Sequence, residues 1–234
     1  MSDDLPPALP PVRPEAADSG PGGSLSPEFL ASLLVEGDDE LVAWALRHAL
    51  DERPRAEVFD DLLVGAMALI GQRWAEGQWG VAEEHLASQT VVRALDRIRP
   101  ELGPEGRVGP MAVLAGVAGE RHMIGLICLD QVLREDGWSV ANLGADVPAE
   151  ELARYVARNE STLVAITASD PGRLETLIDT IASVRAVRPE LPILLGGRLA
   201  MRPGLAETLG IEWAGTSLTD AVLAAAEFAE TQEP

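Results

Sequence analysis

The residues whose types and spacing can do chemistry cluster first at Gly119-Glu120-Arg121-His122-Met123-Ile124-Gly125, directly after the apolar run Met111-Ala112-Val113-Leu114-Ala115-Gly116-Val117. An apolar run that gives way to a polar loop predicts a strand ending at its carboxyl edge, where open α/β sheets hold ligands. Glu120 can take one imidazole N–H of His122, fix its tautomer and raise the basicity of the other nitrogen. That is the chemistry of a metal ligand, although a lone loop histidine bonded to its neighbour is more often an ordinary loop feature. Two more groups, Thr167-Ala168-Ser169 and Gly196-Gly197, stand at the ends of later apolar runs. The stretch 126–166 separates the first of them from Gly125, and the stretch 170–195 separates the second from Ser169. Small residues at three strand ends leave a slot between strands and helix starts for a flat group.

The elements that must position these groups fall into two textures. From Ser26 to Arg99 apolar positions recur at helical spacing, which predicts a four-helix bundle over 27–99. Ser26-Pro27-Glu28 reads as an N-cap with proline in the first turn. Asp38 or Asp39 caps a second helix, with Leu41, Ala45, Leu46 and Ala49 as its stripe. A third helix runs from Pro54 to near Trp74, and a fourth from about Ala82 to Ile98. Residues 100–107, with two prolines and two glycines, read as a linker. Over 108–234 strand and helix alternate, with strands at 111–117, 139–143, 163–167, 193–195 and 212–214. Apolar strands with helical crossovers imply an α/β class: a parallel five-stranded sheet of flavodoxin-like (Rossmann-type) order. Residues 1–26, rich in Pro, Gly, Asp and Ser, have too little apolar surface to offset ordering and read as a disordered tail.

Composition excludes several functions. The net charge of −20 and pI near 4.4 oppose direct contact with nucleic acid or an anionic membrane. All 18 basic residues are arginine. The single cysteine, Cys128, rules out an internal disulfide and falls in an amphipathic helix, where a buried, inert thiol is expected. The acidic, proline-rich start is unlike a signal peptide, and no apolar run approaches the ~18–20 residues of a membrane span. A soluble, cytoplasmic protein is expected.

The order and spacing of the three groups resemble the signature of cobalamin-binding domains, Asp-x-His-x-x-Gly-x41-Ser-x-Leu-x26–28-Gly-Gly. Glu120 stands for the usual aspartate, and Thr167-Ala168-Ser169 for Ser-x-Leu. The resemblance implies that His122 is the lower axial ligand of cobalt, displacing the cofactor's own base. The detached tail would enter the slot lined by Thr167, Ser169, Gly196 and Gly197. Glu120, Arg121 and Gly125 belong to the same loop, and the stretch Asn142–Pro148 with Asp146 looks like the family's second loop. In the helical part, Trp74-x9-Glu84-His85 is similar to the motif of CarH-type light-sensing adenosylcobalamin proteins. By that resemblance Trp74 packs over the upper axial group, Glu84 contacts the adenosyl moiety, and His85 lies near it or at a subunit contact.

No winged-helix DNA reader precedes the bundle, and Ala75 stands where CarH proteins carry a histidine, so a bis-histidine light adduct would need His85. The layout is closer to stand-alone cobalamin photosensors of the AerR-like kind and to photocobilins, which hold a bilin such as biliverdin beside cobalamin. Trp79 and Trp44 are open to lining a bilin pocket or to core packing. The expected function is therefore a light-responsive cobalamin regulator, not an enzyme, acting through a protein partner and as a homo-oligomer whose state can depend on light. The competing readings are the corrinoid carrier subunit of a methyltransferase, and a storage or mutase-type module.

Overall fold

The structure, a computed structural model, describes residues 25–100 and 109–231. The expected tail through residue 24 and linker residues 101–107 lie outside the described residues. The helical half begins with α1 (Pro27–Glu36), where the Ser26 hydroxyl accepts from the Phe29 amide at 3.3 Å. Asp38 caps α2 (Asp39–Leu50) by accepting from the Leu41 amide at 2.9 Å. Asp39 instead pairs with Arg93 at 3.1 Å and Arg97 at 2.6 Å. The stripe expected on α2 is corrected: Val42, Ala43, Ala45 and Leu46 are buried, whereas Leu41 is exposed and Ala49 only half-buried. Packing against both α1 and α5 (Val81–Arg97) turns inward a face that begins one residue later than the stripe drawn from Leu41.

The third helix is continuous from Arg55 to Ala75 but not uniform. It opens as α3 (Arg55–Val58), widens into a π segment over Phe59–Val64 and resumes as α4 (Gly65–Ala75). Phe59, Leu62 and Leu63, all within the wide segment, are buried.

The second half alternates β1 (Met111–Gly116), α6 (Ile124–Glu135), β2 (Ser139–Asn142), α7 (Ala149–Arg158), β3 (Leu163–Thr167), α8 (Leu174–Val187), β4 (Ile193–Gly196), α9 (Leu205–Leu209), β5 (Trp213–Ala214) and α10 (Leu218–Thr231). All strand pairs are parallel and the order is β2-β1-β3-β4-β5, the flavodoxin-like arrangement. Because strand side chains alternate, Ala112 and Leu114 of β1 face one layer while Val113 and Ala115 face the other. The first layer is continuous with the helical half: Leu114, Leu126 and Val132 share one core with Phe59, Leu95 and Leu34. The second is closed by Leu152, Val156 and Ile181 of α7 and α8.

Two polar anchors on the third helix pin the helical half to the sheet half, beside the Arg99–Asp130 pair at 3.0 Å. Arg55, 8% exposed, donates to Glu135 at 3.1 Å, to the Ile98 carbonyl at 3.2 Å and to Gln131 at 3.1 Å. Gln131 in turn donates to the Leu95 carbonyl at 2.6 Å. Asp60 accepts from the amides of Leu218 (2.8 Å) and Thr219 (3.0 Å) and from the hydroxyls of Thr219 (2.9 Å) and Ser217 (3.2 Å). A carboxylate of the helical half thus caps the last helix of the sheet half. No helix among the described residues is long and apolar enough to cross a membrane.

Candidate metal and cofactor site

β1 is central in the sheet, and the order reverses beside it, so its carboxyl end opens at the switch point between β1 and β3. The loop that follows holds the Glu120–His122 pair. Nδ1 of His122 lies 2.5 Å from Oε1 of Glu120, and the same oxygen accepts from the amides of Arg121 (2.8 Å) and His122 (2.9 Å). Oε2 accepts from the amides of Ser169 and of Asp170, the latter at 3.3 Å. Glu120 is 1% exposed. Burial works against its charge, but the amides of His122 and Ser169 and the imidazole itself outweigh it and hold the carboxyl below the ordinary glutamate range. The His122 side chain is 66% exposed. With Nδ1 committed to the carboxylate, Nε2 is the nitrogen left to bind a metal.

Asp146, in the loop after β2, grips the same loop from the other side. Its carboxylate accepts from the Gly119 amide at 2.6 Å, and its own amide donates to the Glu120 carbonyl at 3.1 Å. It does so at φ +58°, alone among non-glycine described residues in having positive φ. Glu120, Arg121, His122 and Asp146 line one cleft of about 330 Å³ together with Asp170 and Arg173. Asp170 and Arg173 escaped sequence reasoning, for no local pattern signals the approach of a loop so distant along the chain. The one available hint was Asp170 directly after Ser169, with Arg173 three residues further on.

Gly116, Thr167 and Gly196 form a row across the ends of β1, β3 and β4, as successive register partners. A side chain added at Gly196 would meet nothing closer than the Ile166 oxygen at 3.9 Å, whereas at Gly197 (φ +82°) it would meet the Ala168 carbonyl oxygen at 2.6 Å and the Ser169 hydroxyl at 2.8 Å. Gly125 faces open space. Thr167 and Ser169 are buried and line neither cleft.

The helical half contributes the second cleft, of about 470 Å³, between Val92, Arg93 and Asp96 of α5 and Met123, Ile127, Leu143 and Gly144. Met123 and Gly144 adjoin the residues of the first cleft, so the two hollows flank the histidine loop. Trp74, Glu84 and His85 line neither. Trp74 ends α4 half-exposed, and Glu84-His85 opens α5 after the Gly77–Gly80 turn. Glu84 meets Nδ1 of His85 at 2.6 Å and accepts from Ser88 at 3.0 Å, so the second histidine is oriented by a carboxylate as the first is. The core-packing expectation fails for Trp44, which is 61% exposed and stacks on His48 at 5.8 Å. Trp79 does pack on the core, under the Arg73 guanidinium at 4.7 Å. Neither tryptophan lines a cleft. Cys128 is buried, and burial pushes its thiol well above the usual range. Among the described residues no group of three or more His, Cys, Asp or Glu could hold a bare metal ion.

Comparison with known proteins matches residues 110–223 to a B12 binding domain and residues 28–99 to a second B12 binding domain model. The HTH-type transcriptional repressor CarH of Myxococcus xanthus is 31% identical over 189 residues, covering 80% of this chain and 62% of the repressor. The chain thus spans less than two thirds of that relative's length. Dimethylamine corrinoid protein 3 of Methanosarcina acetivorans is 22% identical over 203 residues, 85% of this chain and 94% of that one. Among solved structures, the Methanosarcina barkeri monomethylamine corrinoid protein shares the fold with a TM-score of 0.71 at 18% identity, over 87% of this chain and 97% of the other.

Proposed function

We propose that this chain, a B12-binding module made of residues 28–99 and 110–223, is a cobalamin-dependent light sensor that signals through altered protein contacts. The donor set fits the cofactor. One oriented imidazole at the end of β1, with no cluster of ligands for a bare ion among the described residues, would suit a cobalt ion that arrives already held in its own macrocycle. The glycines at 125 and 196 leave room against the strand ends for a flat group and its tail. Adenosylcobalamin, when bound, would supply a light-labile cobalt–carbon bond.

The protein's own residues do the rest. His122 offers Nε2 as lower ligand, and Glu120 keeps the proton on Nδ1 so that Nε2 stays free. Asp146, with Arg121 beside it, holds the loop in place. Thr167, Ser169, Gly196 and Gly197 would wall the cofactor's tail beyond Gly125. From the helical half Trp74 would exclude water from the cofactor's exposed face, and Glu84 and His85 would offer it hydrogen-bonding groups. The observation that carries cofactor binding is the Glu120–His122 pair at 2.5 Å with its second oxygen tied to the loop after β3, and the likeness to the repressor CarH favours a sensor. With a net charge of −20, the output is contact with a protein partner or a second copy, not with nucleic acid.

Green illumination of the protein loaded with adenosylcobalamin tests this: the absorption spectrum and the mass in solution should both change, and constancy of both defeats it. Expression with biliverdin extends the test, since a second chromophore would add red absorption. The second reading, a corrinoid carrier, has the shared layout of the dimethylamine corrinoid protein in its favour. A carrier would purify with methyl- or hydroxocobalamin and turn over with a methyltransferase, whereas a sensor retains the adenosyl form.

A further inference from the structure

The helix Arg55–Ala75 joins two ends with different jobs. Its foot is fixed to the sheet half: Asp60 accepts four hydrogen bonds from Ser217, Leu218 and Thr219 at the start of α10, and Arg55 reaches α6 through Gln131 and Glu135. Its tip carries Trp74, which the rise of a helix sets about 20 Å beyond Asp60. Between foot and tip lies the π segment Phe59–Val64, the kind of irregularity at which helices bend and which recurs at functional sites. The anchor at Asp60 sits in the first turn of that segment, so the helix is held where it is also most easily deformed. The start of α10 has no cap of its own that replaces Asp60: Ser217 caps Asp220 at 3.1 Å, but the Leu218 and Thr219 amides go to Asp60.

We propose that this helix is a lever, anchored at Asp60 and Arg55 and hinged at its π segment, through which displacement of Trp74 reaches the start of α10 and the neighbouring α6. The proposal rests on the reading that Trp74 meets the cofactor. It makes the Asp60–α10 contact the place where a change above the cofactor leaves the helical half. The protein carries a built-in reporter: Cys128 on α6 is 2% exposed and shares one core with Val58 and Phe59 of the lever helix and with Leu218 and Ala221 of α10, so it lies at the seam the lever would open. As the only cysteine it gives an unambiguous signal.

The test is the rate at which an aromatic disulfide reagent labels Cys128 in the full chain, cofactor-free and loaded with hydroxocobalamin. Asp60→Asn should label about tenfold faster than the parent when cofactor-free, since a charged hydrogen-bond cluster is lost, with an unchanged far-UV circular dichroism spectrum. Thr219→Val, which removes one donor from the opposite side, should move the rate the same way by less. Loading should shift the parent's rate and leave that of Asp60→Asn where it was. Equal rates in parent and both variants overturn the anchor, as do rates that rise only in step with a lowered denaturant midpoint. A parent that binds hydroxocobalamin without any change in labelling overturns the lever. Failure to bind hydroxocobalamin would instead refute the cofactor reading, and the two failures are told apart by the absorption spectrum.

Discussion

Nδ1 of His122 stands 2.5 Å from Oε1 of Glu120, while the other oxygen of that carboxylate is taken by the amides of Ser169 and Asp170. One buried side chain therefore orients the imidazole and joins the loop after β1 to the loop after β3. Removing it leaves four amides short of a partner. Glu120→Ala should weaken cobalamin binding about 10–100-fold, the usual cost of losing a carboxylate behind a ligating histidine. Titration followed by absorption measures this, and an unchanged affinity would reject the orienting role.

His122→Ala probes the proposed ligand itself. Because the imidazole is largely exposed, the cofactor-free protein should keep its thermal midpoint within about 2 °C. Binding should fall by at least about tenfold, with the spectrum of any bound cofactor altered at the lower axial position. Equal affinity with an identical spectrum would remove His122 from the metal.

The paired glycines separate two effects. Gly197→Ala places a methyl group 2.6 Å from the Ala168 carbonyl oxygen at φ +82° and should cost about 2 kcal/mol or more of folding stability. Gly196→Ala meets nothing nearer than 3.9 Å, so the fold should tolerate it while the filled slot impairs cofactor binding. Chemical denaturation and cobalamin titration of both variants check the contrast.

Acid should weaken the helical half through Asp39. Hydrogen bonds from Arg97 and then Arg93 hold its carboxyl below the ordinary aspartate range. Since the folded pKa is the lower one, this contribution is fully present above the unfolded value and is lost as pH falls through the folded value, so the loss begins below about pH 4. Across that window the parent's thermal midpoint should drop more steeply than that of Asp39→Asn, and parallel curves would contradict the assignment.

Trp74→Ala should leave both halves folded, since the indole is half-exposed and contributes little to the core. It should instead hasten loss of the upper substituent of bound adenosylcobalamin in light. Photolysis rates equal to the parent's would take Trp74 away from the upper face.

The five strands and their order were legible because β1, β3 and β4 are short apolar runs closed by glycine or small polar residues, and the helices between them have amphipathic period. The Glu120–His122 pair was legible because the two residues are near neighbours in the chain. What depended on long-range approach was not. Asp60 caps a helix at the opposite end of the chain, and nothing around Asp60-Asp61 marks that use. The π segment escaped because its buried residues, Phe59, Leu62 and Leu63, also satisfy ordinary helical spacing. The stripe drawn on α2 failed at Leu41 because apolar content alone does not say which neighbours a helix will have. Trp44 failed likewise, since an indole on a helix reads as core until its face is known.

Asp146 spends backbone energy to do its work. An aspartate at φ +58° is held about 1 kcal/mol above its relaxed geometry, a cost glycine would not incur, yet only the carboxylate can reach the Gly119 amide. The strain at residue 146 is therefore set against the hold that its carboxylate keeps on the histidine loop.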